Sequence, residues 1–114
     1  MNTDRELLEL AAKAAEIQIQ WHRWPSTARE TAYVPNGDFS EQHDVCYSPW
    51  NPLTDDGDAL RLAVRLRLAV DVGQEATHVY SSDKGIVEPL DTDPYAATRR
   101  AIVRAAAEIG RNMK

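Results

Sequence analysis

Hydrophobic spacing along this chain switches several times between the helical and the extended period, and the switches mark its elements. Thr3-Asp4-Arg5-Glu6 fits a capping box that opens a helix. Behind it Leu7, Leu8, Leu10, Ala11, Ala14 and Ala15 form one apolar stripe, with Arg5, Glu9, Lys13 and Glu16 toward water. Ile17-Gln18-Ile19-Gln20-Trp21 then alternates apolar and polar, which predicts a strand. Leu7, Leu10, Ala14, Ile17, Trp21 and Trp24 also fall at heptad spacing, but β-branched Ile17 and Ile19 favour the strand. Pro25 ends either element. From Ser26 to Trp50 the pattern is irregular. Pro35-Asn36-Gly37-Asp38 is a turn signal between Tyr33-Val34 and Phe39, and Val45-Cys46-Tyr47 is short enough for one strand. This stretch predicts either a long surface loop or one or two short edge strands.

A second helix is expected from Thr54 as N-cap, with Asp55, Asp56 and Asp58 complementing the helix dipole. At 100° per residue Asp58, Arg61 and Arg65 share a narrow polar face, while Ala59, Leu60, Leu62, Ala63, Val64 and Leu66 fill the rest. So apolar a helix predicts burial between a sheet and another helix. Leu68 would break that pattern, and Leu68, Val70 and Val72 instead alternate as a strand, so the helix ends near Arg67. His78-Val79-Tyr80 and Ile86-Val87-Glu88 flank the hairpin chemistry of Ser82-Asp83-Lys84-Gly85, giving an antiparallel meander. Asp93 followed by Pro94 opens a third helix, whose apolar line runs Tyr95, Ile102, Ala106, Ile109 and Met113, thickened by Ala97, Ala101 and Ala105. No internal repeat, linker or low-complexity segment interrupts the pattern. The expectation is a single α+β domain over residues 1–114: a mainly antiparallel sheet of about four strands packed by three helices.

Composition narrows the class. At 114 residues and 12.8 kDa the chain suits one self-supporting domain, and a single cysteine allows no internal disulfide. No basic, apolar N-terminal run resembles a signal peptide, and arginines interrupt the longest apolar stretches, so a cytoplasmic protein with no membrane span is expected. A net charge of -5 argues against general nucleic-acid binding. The charge is unevenly spread. Residues 30–58 carry seven acids and no Lys or Arg, whereas residues 96–114 carry five bases (Arg99, Arg100, Arg104, Arg111, Lys114) and one acid, Glu108. Such asymmetry favours head-to-tail self-association, or an acidic partner at the last helix.

Three blocks carry a family resemblance. They are Leu7-Leu8-Glu9-Leu10-Ala11-Ala12-Lys13-Ala14-Ala15, the run from Trp50-Asn51-Pro52-Leu53-Thr54-Asp55-Asp56 to Val64, and the run from Ala97-Thr98-Arg99-Arg100 to Ala107. Together they cover about a third of the chain and resemble small phage and prophage proteins of the phage ABA sandwich domain family. The resemblance implies a sheet with helices on both sides, an α-β-α sandwich. It brings no catalytic motif, and it implies an accessory protein that binds a host factor or a small molecule.

Few residues suggest chemistry of their own. His43 and Cys46 stand three apart as half a zinc site or a thiol and its base, but His22 and His78 add no paired spacing and no local signature surrounds them. Asp55-Asp56-Gly57-Asp58 lacks the alternation and closing Glu of a calcium loop, and capping explains its acids. Trp21-His22-Arg23-Trp24 interleaves aromatics with cations, as base-stacking surfaces do, yet strand alternation sends Trp21 to the core and His22 away from it. The five glycines stand singly, so no phosphate-cradling loop is present, and acids occupy the starts of the second and third helices. Arg100 and Arg104, one turn apart with Arg111 close to the same face, have the geometry to grip a carboxylate or phosphate, or to form an ion-pair row with Glu108. Trp50, between Pro49 and Pro52 and followed by Asn51, is either a lid over the core or an anchor in a partner interface. No catalytic residue, metal ligand or cofactor is assigned. The reading is a binding protein, self-associating as a homo-oligomer, with Trp50, Asn51, Arg100 and Arg104 as candidate partner or ligand contacts. The alternative is a protein that sequesters a small anionic ligand such as a nucleotide, with an undetected hydrolase ranked last.

Overall fold

The structure, a computed structural model, describes residues 3–23, 30–35, 47–81 and 85–113. Its elements follow as α1 (Asp4–Ala15), β1 (Gln20–Arg23), β2 (Glu30–Pro35), β3 (Tyr47–Pro49), α2 (Asp56–Leu66), β4 (Ala69–Val72), β5 (Ala76–Tyr80), β6 (Gly85–Pro89) and α3 (Pro94–Arg111). This is the α+β class that the patterning predicts, with helices packed against sheets. The strand count differs: six strands form two antiparallel three-stranded sheets, β1-β2-β3 and β4-β5-β6, in place of one sheet of about four. The extra strands are β2 and β3, from the stretch where the sequence left a loop or short edge strands open. Pro49 is tolerated in β3 because β3 lies at a sheet edge. The Asn36–Asp38 turn residues, Phe39, Val45-Cys46 and Ser82-Asp83-Lys84 lie outside the described residues.

Each sheet follows a helix that stops in the same way. Glu16 and Arg67 adopt left-handed φ values of 57° and 55°. Glu16 and Ile17 donate their N–H groups to the carbonyls of Lys13 and Ala12, and Arg67 and Leu68 donate theirs to Val64 and Ala63. These bonds satisfy carbonyls that a helix end otherwise leaves open. The chain therefore runs helix, left-handed cap and three-stranded meander twice, and then α3. This topological repeat left no trace in the residue pattern. The cap also explains a boundary: with Ile17 N–H committed to Ala12, β1 opens at Gln20 rather than at Ile17.

α3 is the central element, packed against α1, α2, β5 and β6. From Ala101 to Ala107 every residue except Arg104 is buried. α1 runs parallel to it, with Asp4 beside Arg100, Leu10 against Gly110, and the Lys13 ammonium donating to the Met113 carbonyl. Val79 and Thr77 of β5 are fully buried, and one cluster of buried side chains joins the three helices to Ala32 of β2 and Val79 of β5.

Two burial expectations are corrected. α2 buries only the face of Asp58, Ala59, Leu62 and Ala63, while Leu60 and Val64 are 63% and 67% exposed. Tyr95, placed by its spacing on the buried line of α3, is 70% exposed: it lies in the first turn of α3, at the rim of an open trough and well before the buried run that begins at Ala101.

Glycine in a helix interior normally costs about 1 kcal/mol relative to alanine. Here a Cβ on Gly110 would meet the Leu10 carbonyl oxygen at 2.0 Å, so the sign reverses. Gly110→Ala is expected to destabilise the domain by about 1–3 kcal/mol in urea unfolding; a gain in stability would show that α1 and α3 do not approach this closely.

Candidate functional site

The approach to α2 is built around one carboxylate. Asn51 accepts from Leu53 N–H through its side-chain oxygen at 3.0 Å, and its own carbonyl accepts from Thr54 and Asp55. This turn moves the helix start along by one residue: Asp55, not Thr54, is the N-cap, accepting from Asp58 N–H at 2.8 Å. Asp58, expected on the polar face, is buried. Its carboxylate accepts from Asn51 N–H at 2.9 Å and from the Arg61 guanidinium at 2.7 Å. That hydrogen bond, with the nearby charges of Asp58 and Asp55, raises the Arg61 pKa above its ordinary value against the opposing effect of desolvation. Trp50 N–H donates to the Ala32 carbonyl, and the Trp50 side chain is buried in the shared core. Trp50 thus takes the lid alternative, and Asn51 shapes a turn. Trp50 borders a groove of about 940 Å³ between α2 and the first sheet, walled by Ile17, Val34, Leu60 and Val64.

The bases of α3 are brought together, but each has an acid beside it. Arg100 pairs with Asp4 at 3.2 Å and Arg104 with Glu88 at 3.3 Å, while Arg111 contacts Glu108 and Arg99 pairs with Asp56 at 2.6 Å. The expected Arg104–Glu108 partnership is replaced by one across to β6. Arg100, Arg104 and Arg111 do line one cleft of about 360 Å³, shared with Leu7, Glu88 and Glu108. The basic surplus of the last helix is largely paired inside the fold, which removes much of the charge that head-to-tail association would use.

The third surface is apolar. Leu60 of α2, Val70 and Val72 of β4 and Tyr95 of α3 line a trough of about 590 Å³ floored by Ala59, Ala63 and Ile102. Val70 and Val72 stand opposite the buried Val79 and Thr77 and so share the sheet face that α3 covers. β4 overhangs α3, and both valines are exposed. The sequence reading missed this surface because an apolar residue at an overhanging edge has the same spacing as one in the core.

The remaining candidates separate. Trp21 packs against the core with the Arg5 guanidinium 4.6 Å over its ring, while His22 is exposed and meets Tyr33 edge-on. Trp24, His43 and Cys46 lie outside the described residues. Among the described residues no three His, Cys, Asp or Glu side chains gather as a metal site would require, and no helix is long and apolar enough to cross a membrane. No family model, curated protein or solved structure matches the chain.

Removing the Asp58 carboxylate leaves the Asn51 N–H without its acceptor. Asp58→Ala is expected to cost about 1–3 kcal/mol in urea unfolding, with Asp58→Asn losing less because it keeps an acceptor. Equal, negligible losses would mean that the carboxylate does not hold the Trp50–Asn51 segment.

Proposed function

We propose that this domain acts by binding rather than by catalysis, and that it self-associates. The observation that carries the reading is the cluster of Leu60, Val70, Val72 and Tyr95, four large apolar side chains between 40% and 70% exposed around one trough. Contiguous apolar surface of this kind marks an interaction site more often than it is left in water. The likeness of the helix blocks to phage ABA sandwich proteins supports a prophage-encoded accessory role in the cytoplasm of a bacterial host.

The test is the mass of the protein in solution. Sedimentation equilibrium should give a multimer that dissociates on dilution. Leu60→Glu with Tyr95→Glu should shift it to monomer without lowering the Tm, because both side chains are exposed in the single chain. A wild-type monomer throughout the micromolar and submillimolar range would overturn self-association.

The cleft beside Arg100, Arg104 and Arg111 supports a second reading, in which the domain sequesters a small anion such as a nucleotide. A ligand of that class would displace Asp4 and Glu88 from their arginines. ATP or pyrophosphate should then raise the Tm by several degrees, and Arg100→Glu with Arg104→Glu should abolish the rise.

A further inference from the structure

We propose that the partner at the apolar trough is a second copy of this chain, joined edge to edge along β4 in an antiparallel, two-fold pair. The inference rests on the self-association reading above and names its contact. β4 pairs with β5 on one side, and among the described residues its other side is unpaired. Gly73 N–H donates to the Ala76 carbonyl at 2.9 Å, which sets the phase of the ladder. In an antiparallel pair the backbone groups alternate in direction, so Asp71 and Ala69 also face β5, whereas Val70 and Val72 direct their N–H and C=O groups to the free edge.

This edge is lightly guarded against pairing, and it borders the apolar trough. Of the other edge strands, β3 contains Pro49 and β6 contains Pro89, while β1, like β4, has no proline and one formal charge but does not line the trough. Proline and charge are the usual guards of an edge, and Ala69-Val70-Asp71-Val72 has no proline and a single charge. Symmetry then selects the register. A two-fold axis perpendicular to the sheet keeps the valines of both copies on the same face. Centred on Asp71 it would set two carboxylates directly opposite each other, which is unfavourable. Centred on Val70 it pairs Val70 with its own copy through both backbone bonds and sets Ala69 opposite Asp71 of the second copy. Centred on Val72 it would set only that residue of β4 opposite a strand residue of the second copy.

The helices lie on the valine side of the sheet, so the same axis brings the two troughs together beneath a continuous six-stranded sheet. Leu60, Val70, Val72 and Tyr95 present on the order of 450 Å² of surface, which approaches the apolar share of a contact hiding about 800 Å² per partner.

Cross-linking reads the register directly. In a Cys46→Ser background, one chain carries Ala69→Cys and the other Asp71→Cys, and the two are mixed under mild oxidation. The register predicts a disulfide-linked heterodimer and little product from either chain alone. Val70→Lys should weaken the wild-type dimer by about tenfold or more with unchanged circular dichroism. A dimer that gives no mixed cross-link and is unaffected by Val70→Lys would overturn the β4 contact while leaving self-association standing. Cross-linking of Asp71→Cys to itself would overturn the register, and a wild-type monomer would overturn both proposals.

Discussion

Alanine at the centre of α3 sets how near its neighbours come, and the rest of the fold is arranged around that approach. Ala101, Ala105, Ala106 and Ala107 leave α3 with little side-chain bulk on the faces that meet α1, α2 and the second sheet. Close approach of this kind gains dispersion contacts rather than large transfer energies per residue, so it depends on shape. Gly110 is the tightest point, where even a methyl group has no space against the Leu10 carbonyl. The larger core residues, Leu62, Val79 and Val103, fill the spaces that remain around this axis.

Charge follows from the same arrangement. Once α3 is central, its arginines emerge between other elements, and each meets an acid from one of them or from its own helix: Arg99 meets α2, Arg100 α1, Arg104 β6 and Arg111 its own Glu108. Of these pairs Arg99–Asp56 joins the acidic segment of residues 30–58 to the basic one, while the other three arginines meet acids from outside that segment. These pairs are mostly half-exposed, and exposed pairs contribute about 0–1 kcal/mol each. Their larger effect is to leave the apolar trough, rather than a charged face, as the more distinctive surface.

Much of this was legible in the residues. The stop at Glu16 was readable because Ile17 and Ile19 are β-branched and begin an alternating pattern, that at Arg67 because Leu68 broke a helical period, and the meander of β4, β5 and β6 because its alternation was clean. Asp93-Pro94 marked α3 without ambiguity. What stayed hidden depends on contacts between distant segments. Asp58 reads as a surface acid until Asn51 N–H is brought to it, and Thr54 reads as the N-cap until the Asn51 turn takes up its backbone. β3 has only three residues and both β2 and β3 carry a proline, so local pattern alone could not separate them from loop. The candidate contacts fared similarly. Spacing grouped Arg100, Arg104 and Arg111 correctly, but it could not show that Asp4 and Glu88 would stand beside them.

The topological repeat explains why the exposed surface lies where it does. Both units place a helix, a left-handed cap and a meander in the same order, but only the second meander has the long helix α3 against its face. α3 covers β5 and β6, whereas β4 stands at the rim of the trough that α2 and the start of α3 border. The valines of β4 keep the inward orientation that their sheet imposes, with no element of the described chain over them. A strand in that position either acquires polar residues or acquires a partner. Here Val70 and Val72 stand exposed beside Leu60 and Tyr95 from the two flanking helices, and that exposure is the physical argument behind the proposed binding surface.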